Sequence, residues 1–436
     1  MTTASILSHL KAVIPEDRIF DGEDDELHLG NGGKVTIYPK TEQEMADILA
    51  YANTSGQTVS VMGAGTKRGF GGLTEQADIL ISTKSYTGVV EHVQGDMTVT
   101  VRAGTVFGEL QQYLADYYQK VAVDPFFPEE ATVGGVIAAN DSGPKRFRYG
   151  AARDAVIGMR IVYPDGKIIR TGGKVVKNVA GYDMNKLFIG SMGTLGVISE
   201  VTFKLRPLPK CESVAFISFP ANQMKEIRRF ASQLLDVMIE PVAIELLNPT
   251  MAATLTGYAC TTLVVSFEDV ESSVLYQENM LKAMKPSDSE LSILSEGETK
   301  QFWDSFYSKG NKGQNVFQAA VKIGVVNMDV VEIINETMKL EHSQNIQLKA
   351  HGGLGHGLCK INFYGEAEKV VAAIHQMRTK AEQLGGYAVI THLPLSYRKE
   401  IQVWGEKPSY FFLLEGMKKE VDPKGILNRH RFVGGI

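Results

Sequence analysis

The chain has 436 residues, of which 44% are apolar and 22% charged, with a formal net charge of -5. That length exceeds one ordinary compact core, so two domains are expected, and a weakly acidic chain lacks the basic face that nucleic-acid binding calls for. No apolar stretch approaches the roughly 18–20 residues of a membrane helix. Cys211, Cys260 and Cys359 lie too far apart for a local iron–sulfur or zinc motif, so a reducing, cytoplasmic setting is expected.

The opening residues lack the basic-then-apolar order of a signal peptide and read as an amphipathic helix. From about Val35 to Pro209 the chain is glycine-rich, with short β-type runs. Thr41 followed by Glu44 is a capping box, and behind it Met45, Ile48, Leu49 and Ala52 fall on one helix face. A strand-like run over 58–62 ends in the loop Gly63-Ala64-Gly65-Thr66-Lys67-Arg68-Gly69-Phe70-Gly71-Gly72. A second strand over 97–102 leads to a helix with Leu110, Leu114 and Tyr117 on one side. Runs 155–162 and 167–170 flank the hairpin turn Pro164-Asp165-Gly166, and the strand 196–205 is closed off by Arg206-Pro207-Leu208-Pro209.

From Glu212 the texture changes to an alternation of strands and helices. The first of these helices turns Met224, Ile227, Ala231 and Leu234 inward, between strands at 214–219 and 242–247. Short connections predict an α+β domain with a largely antiparallel sheet and helices on one face. The domains expected are a front domain over 1–209, an α+β cap over 210–400, and a segment over 401–436 that returns to the front domain.

Loop 63–72 carries two cations and several unhindered amides. Glycine lets successive N–H groups converge on one point, which makes an anion nest suited to phosphate oxygens; a merely tight loop is the alternative for this motif alone. A dinucleotide fingerprint would need glycine where Arg68 stands, and a Walker A loop would need a Gly-Lys-Ser/Thr ending that is absent.

Three further motifs follow in order. They are Ala131-Thr132-Val133-Gly134-Gly135 running on to Asn140, Ser142 and Gly143; then Tyr149-Gly150-Ala151-Ala152-Arg153-Asp154; then Gly193-Thr194-Leu195-Gly196-Val197-Ile198. With the Gly63-x-Gly65-Thr66 loop they resemble the FAD domain of vanillyl-alcohol-oxidase and para-cresol-methylhydroxylase (PCMH) type flavoproteins, over about residues 37–209. The resemblance implies a two-part FAD-binding domain followed by an α+β cap. It implies that Gly63, Ala64, Gly65, Thr66, Lys67 and Gly69 cradle the pyrophosphate. Pro125, Thr132, Gly134, Gly135, Asn140, Ser142 and Gly143 would line the rest of the cofactor, as would Tyr149, Gly150, Asp154, Gly196, Ile198 and Arg431. No histidine lies between Gly63 and Gly72, so FAD is expected to be held non-covalently.

Lys177-Asn178-Val179-Ala180-Gly181-Tyr182-Asp183 resembles a signature of the FAD-binding subunit of bacterial glycolate oxidase. So do Val403-Trp404-Gly405, the run from Asp422 to Asn428, and Arg431-Phe432-Val433-Gly434-Gly435-Ile436. That implies oxidation of a 2-hydroxy acid such as glycolate or D-lactate, a sister flavoprotein subunit, an iron–sulfur subunit that takes the electrons, and at most peripheral membrane association. Relatives carry a histidine-rich metal motif where this chain has His351-Gly352-Gly353-Leu354-Gly355-His356-Gly357; with leucine at the acidic position, no metal is expected. His351 and His356 are the candidate bases for the hydroxyl proton, with His392 third, and Arg398 or Arg431 the candidate clamp for the substrate carboxylate. A subunit that binds FAD and relays electrons without turning over substrate remains the alternative, as does a dehydrogenase for another alcohol.

Overall fold

A computed structural model describes residues 3–21, 26–173, 182–308 and 317–436. Residues 177–181 of the glycolate-oxidase-like signature fall outside these. The chain folds as two units: Met1–Ser142, Ala151–Leu208 and His392–Ile436 form the first, Gly143–Gly150 and Pro209–Thr391 the second.

The first unit holds two main sheets. One has the order Ile19–Asp21, Gly32–Ile37, Gln76–Ser82, Val59–Met62, antiparallel at its first pair and parallel thereafter. The helix Glu42–Ser55 connects two of its parallel strands. Thr41 Oγ1 accepts from the Glu44 amide at 3.1 Å while the Glu44 carboxylate accepts from the Thr41 amide at 3.2 Å, so the capping box forms as read. Met45, Ile48, Leu49 and Ala52 are buried on its inner face, in one core with Ile6, Leu10 and Ile14 of the first helical segment. The other sheet is antiparallel, in the order Val89–Val93, Thr98–Arg102, Val197–Lys204, Val156–Val162, Ile168–Gly172. Helix Phe107–Ala115 buries Phe107, Leu110 and Leu114 in its core. Tyr117 lies beyond that helix and is exposed, because the chain turns away at Tyr118, whose φ is 55°.

In the second unit one eight-stranded sheet runs Glu290–Ile293, Cys211–Phe219, Thr261–Asp269, Ala243–Leu247, Gln347–Gly353, Leu358–Gly365, Phe317–Gly324, Tyr387–His392. Its first seven strands pair antiparallel throughout. Helices cover both faces, which corrects the one-face reading. Phe219 meets Phe230 of helix Met224–Asp236, whereas Phe216 meets Phe302 of helix Glu296–Tyr307. Residues 216 and 219 of one strand point to opposite faces because side chains alternate along it. With both faces covered the strands lose their polar alternation: all of Ala243–Leu247 is buried.

Among the described residues no helix is long and apolar enough to cross a membrane. Thr41→Ala removes one half of the capping box and is expected to lower stability by about 1 kcal/mol, measured by denaturant unfolding of the flavin-loaded protein.

Candidate functional site

Strand Val59–Met62 delivers the glycine loop to the head of a cleft, which Gly63, Ala64, Gly65, Thr66 and Lys67 line on one side. Thr132, Gly134 and Gly135 line the opposite wall at the start of helix Val133–Ala139, and Gly196 and Ile198 a third. Three stretches far apart in sequence therefore share one cavity. The small residues have steric causes. A Cβ on Gly63 would collide with Thr132 Oγ1, one on Gly134 would sit 2.8 Å from the Ala103 Cβ, and Gly65 has φ +81°.

Sequence reasoning passed over Asn428 as a site residue, although it stands in a quoted motif. The C-terminal segment lays Leu427 in a parallel bridge beside Val59. Asn428 Oδ1 accepts from the Val61 amide and its Nδ2 donates to the Met192 carbonyl, each at 2.9 Å. One side chain thus ties the strand before the loop to the wall at Met192 and Gly193, both of which line the cleft. Asp422 sets up the approach by accepting from the amides of Ile426 and Leu427. Lys418 completes it with bonds to Asp422, the Thr194 carbonyl and the Leu427 carbonyl.

Arg431 lines the cleft and donates to the carbonyls of Val61, just before the loop, and Lys67, within it, at 3.4 and 3.3 Å. Arg398 is 1% exposed and donates to the carbonyls of Arg68 and Leu29. Its guanidinium braces the backbone at these two points. Burial first, then the neighbouring Arg68, pulls the pKa of Arg431 down to about 10; burial, then Arg431 and Arg68, does the same to Arg398. These crowded cations favour a polyanion. Lys67, the other cation of the loop, is paired with Asp141 at 2.7 Å.

Arg431 Nε on the cleft, and the buried Asn140 Oδ1 and Ser142 Oγ that follow the lining residues Ala138 and Ala139 in sequence, find no hydrogen-bond partner among the described residues. Buried polar atoms are normally paired, so these are positions for groups of a bound molecule. A steric cradle, a cationic floor and unsatisfied donors and acceptors together fit a dinucleotide with a diphosphate bridge.

Other residues read as cofactor contacts take different places. Pro125 is buried in the turn whose next amide, that of Phe126, donates to Asp141 at 3.0 Å. Gly69 packs under the His392 ring, which the chain brings back from the start of the C-terminal segment. Gly143, Tyr149 and Gly150 belong to the second unit, where the Tyr149 hydroxyl donates to Glu268 at 2.6 Å and Lys145 pairs with the same carboxylate at 2.7 Å. Asp154 is exposed and accepts from the Ala151 amide, capping a single helical turn.

The second unit holds a distinct cluster that includes a residue the sequence reading missed. Glu245, 1% exposed, accepts from His351 Nδ1 at 2.7 Å and from His356 Nε2 at 3.1 Å. Register explains the meeting: Glu245 pairs with Gly353 and Leu247 with His351, so Glu245 and His351 are diagonal neighbours on one face. His351 is buried, 5% exposed, and His356 is largely covered, with its side chain 14% exposed. Burial opposes the charge on Glu245, yet the hydrogen bonds from His351 and His356 hold its pKa below the ordinary carboxylate value.

The tautomers follow from the partners. His356 Nδ1 accepts from the Leu358 amide at 3.2 Å, so its proton is on Nε2 and points to Glu245. His351 donates from Nδ1 to the same carboxylate, which makes Nε2 its basic nitrogen. Among the described residues no three His, Cys, Asp or Glu side chains are arranged to hold a metal ion.

Comparison with known proteins matches the cleft. Residues 33–172 fit the family model of an FAD binding domain. The chain is 26% identical over 416 residues to glycolate oxidase subunit GlcD of Bacillus subtilis, spanning 90% of this chain and 87% of that one. It is 29% identical over 429 residues to mitochondrial D-lactate dehydrogenase (cytochrome) 1 of Saccharomyces cerevisiae, spanning 91% and 71%. A crystal structure of p-cresol methylhydroxylase with substrate bound shares the fold, with a TM-score of 0.78 at 13% identity over 98% of this chain and 96% of that one. The chain thus carries an FAD binding domain in a PCMH-type α+β fold, and its cofactor is FAD. Gly65→Glu, which sets a carboxylate in the loop at a position of positive φ, is expected to yield folded protein without flavin absorbance; wild-type FAD content would contradict the loop's role.

Proposed function

We propose that this chain, an FAD-dependent oxidoreductase related to hydroxy-acid dehydrogenases, oxidises glycolate or D-lactate to the 2-oxo acid as a subunit of a glycolate-oxidase-type complex. The observation that carries the reading is a buried imidazole held by an ionised carboxylate, His351 on Glu245, in a chain that also has the FAD cleft. Oxidising a carbinol requires a proton acceptor and a hydride acceptor. FAD supplies the hydride acceptor. His351 is the base: its Nδ1 proton is committed to Glu245, so Nε2 takes the hydroxyl proton of the substrate. His356 is poorly suited, because its Nδ1 already accepts from a backbone amide and its Nε2 proton is held by Glu245.

FAD is bound without a covalent link, since loop 63–72 offers no histidine to form one. Denaturing the holoprotein with acid is expected to release all flavin into the supernatant. Electrons leave through partners, an iron–sulfur subunit and a sister flavoprotein subunit, in the cytoplasm, with any membrane association made through them. GlcD, itself a subunit by name, supports such an assembly.

A second reading, a subunit that binds FAD but does not turn over substrate, is favoured by Leu354. The residue that stands where relatives resembling this chain carry an acid is fully buried. Anaerobic mixing of the purified chain with glycolate or D-lactate separates the two. Loss of flavin absorbance in the lone chain is expected; flavin that stays oxidised with both acids until partner subunits are added would reverse the assignment.

A further inference from the structure

The carboxylate between the two imidazoles has a role that neither histidine explains. Glu245 is the one ionised acid on a strand, Ala243–Leu247, whose every residue is buried. An uncompensated carboxylate there is costly, and both of its oxygens are engaged by ring nitrogens, one from each histidine. Two rings converging on one carboxylate, with the second ring pinned from behind by the Leu358 amide, form a relay of fixed tautomers. The glycine run serves the same geometry: a Cβ on Gly353 would occupy the volume of the His356 ring and approach Glu245 Oε1 at 2.6 Å.

We propose that Glu245 is a positioning residue for the oxidation: it fixes His351 as the Nδ1–H tautomer, so that Nε2 is the basic atom, and it stabilises the imidazolium formed when His351 takes the substrate's hydroxyl proton. This deepens the function proposed above and rests on His351 being the base. The proton balance is simple. One proton moves from the hydroxyl to Nε2, the Nδ1 proton stays between His351 and Glu245, the hydride goes to FAD, and the imidazolium later gives its proton to solvent. Glu245 itself remains ionised throughout, as the carboxylate of a catalytic triad does.

The other charged or titratable groups around His351 enter the same balance. His356 lies beyond Glu245. Lys360 is paired with His351 across the neighbouring strand, and Lys322 is paired with Lys360 on the next, so both stem from the same sheet face. Helix Glu296–Tyr307 closes over the site with the Phe306 ring, 4.8 Å from the imidazole, and with Tyr307 next to it. The two lysines carry positive charge on that face, and Glu245 carries the negative charge in direct contact with the ring.

Glu245→Gln keeps the shape and removes that charge. Flavin reduction by glycolate or D-lactate is then followed by stopped flow across pH, in holoprotein with flavin content verified. The reduction rate constant is expected to fall by roughly 100-fold or more, the scale set by losing a base of correct tautomer. The acid limb of its pH profile is expected to move to lower pH, while KM changes little. A rate and an acid limb equal to wild type would overturn the proposal. His351→Gln distinguishes the underlying reading: if it reduces flavin as fast as wild type, His351 is not the base, whereas loss of reduction in His351→Gln with an unmoved profile in Glu245→Gln sinks only the role of Glu245. Should Glu245→Gln fail to fold, 15N NMR of histidine-labelled wild-type holoprotein decides: His351 protonated on Nδ1 supports the proposal, and His351 protonated on Nε2 overturns it.

Discussion

Everything about the front unit depends on a loop of backbone amides being kept open, and a loop rich in glycine does not stay open unaided. Glycine gives the freedom to converge N–H groups but carries the largest entropy loss on ordering. The restraint comes from the far end of the chain. Val61 and Asn428 are 367 positions apart, yet the amide of one and the side chain of the other meet at 2.9 Å, and Arg431 then grips the carbonyls of Val61 and Lys67. The tail therefore lines the cleft and holds the strand that leads into its loop. The turn that aims it, from Asp422 to Gly425, is as consequential as the loop itself.

The two units treat buried charge in opposite ways. In the first, Arg68, Arg398 and Arg431 are brought together, and their mutual repulsion and burial depress the pKa of two of them. Such an arrangement is unfavourable on its own and is relieved by an anionic ligand, which couples cofactor binding to stability. In the second, a carboxylate is surrounded by two imidazoles that can share its charge, and no ligand is needed to balance it. The first arrangement suits recognition, the second proton transfer.

What the sequence made legible follows from range. The capping box at Thr41 and Glu44 and the inward face of Met45, Ile48, Leu49 and Ala52 are set within a few residues of each other, and they formed as read. The walls of the cleft at 63–67, 132–135 and 196–198 were legible because each motif carries its own steric signature of glycine and small residues. Glu245 was not. It sits alone in an apolar strand, and only the register of that strand against Gln347–Gly353 brings it to the histidines. The helix faces of the second sheet were misjudged for a related reason: strands buried on both sides lose the alternation that reveals sidedness. The bonds that Arg398 gives to the carbonyls of Leu29 and Arg68 span more than 300 positions, a use that no local pattern announces.

Glycine links the two sites by a shared device that differs from its usual one. Gly65 is needed for its positive φ, but Gly63 and Gly353 have no positive φ and are needed for volume. At Gly63 the missing Cβ lets Thr132 Oγ1 close on the loop; at Gly353 it lets the His356 ring lie against its own strand and reach Glu245. In each case a functional side chain occupies the space that any other residue would fill. A glycine-rich motif can thus mark the place where a second, distant side chain is received: Thr132 against the loop and His356 against the strand.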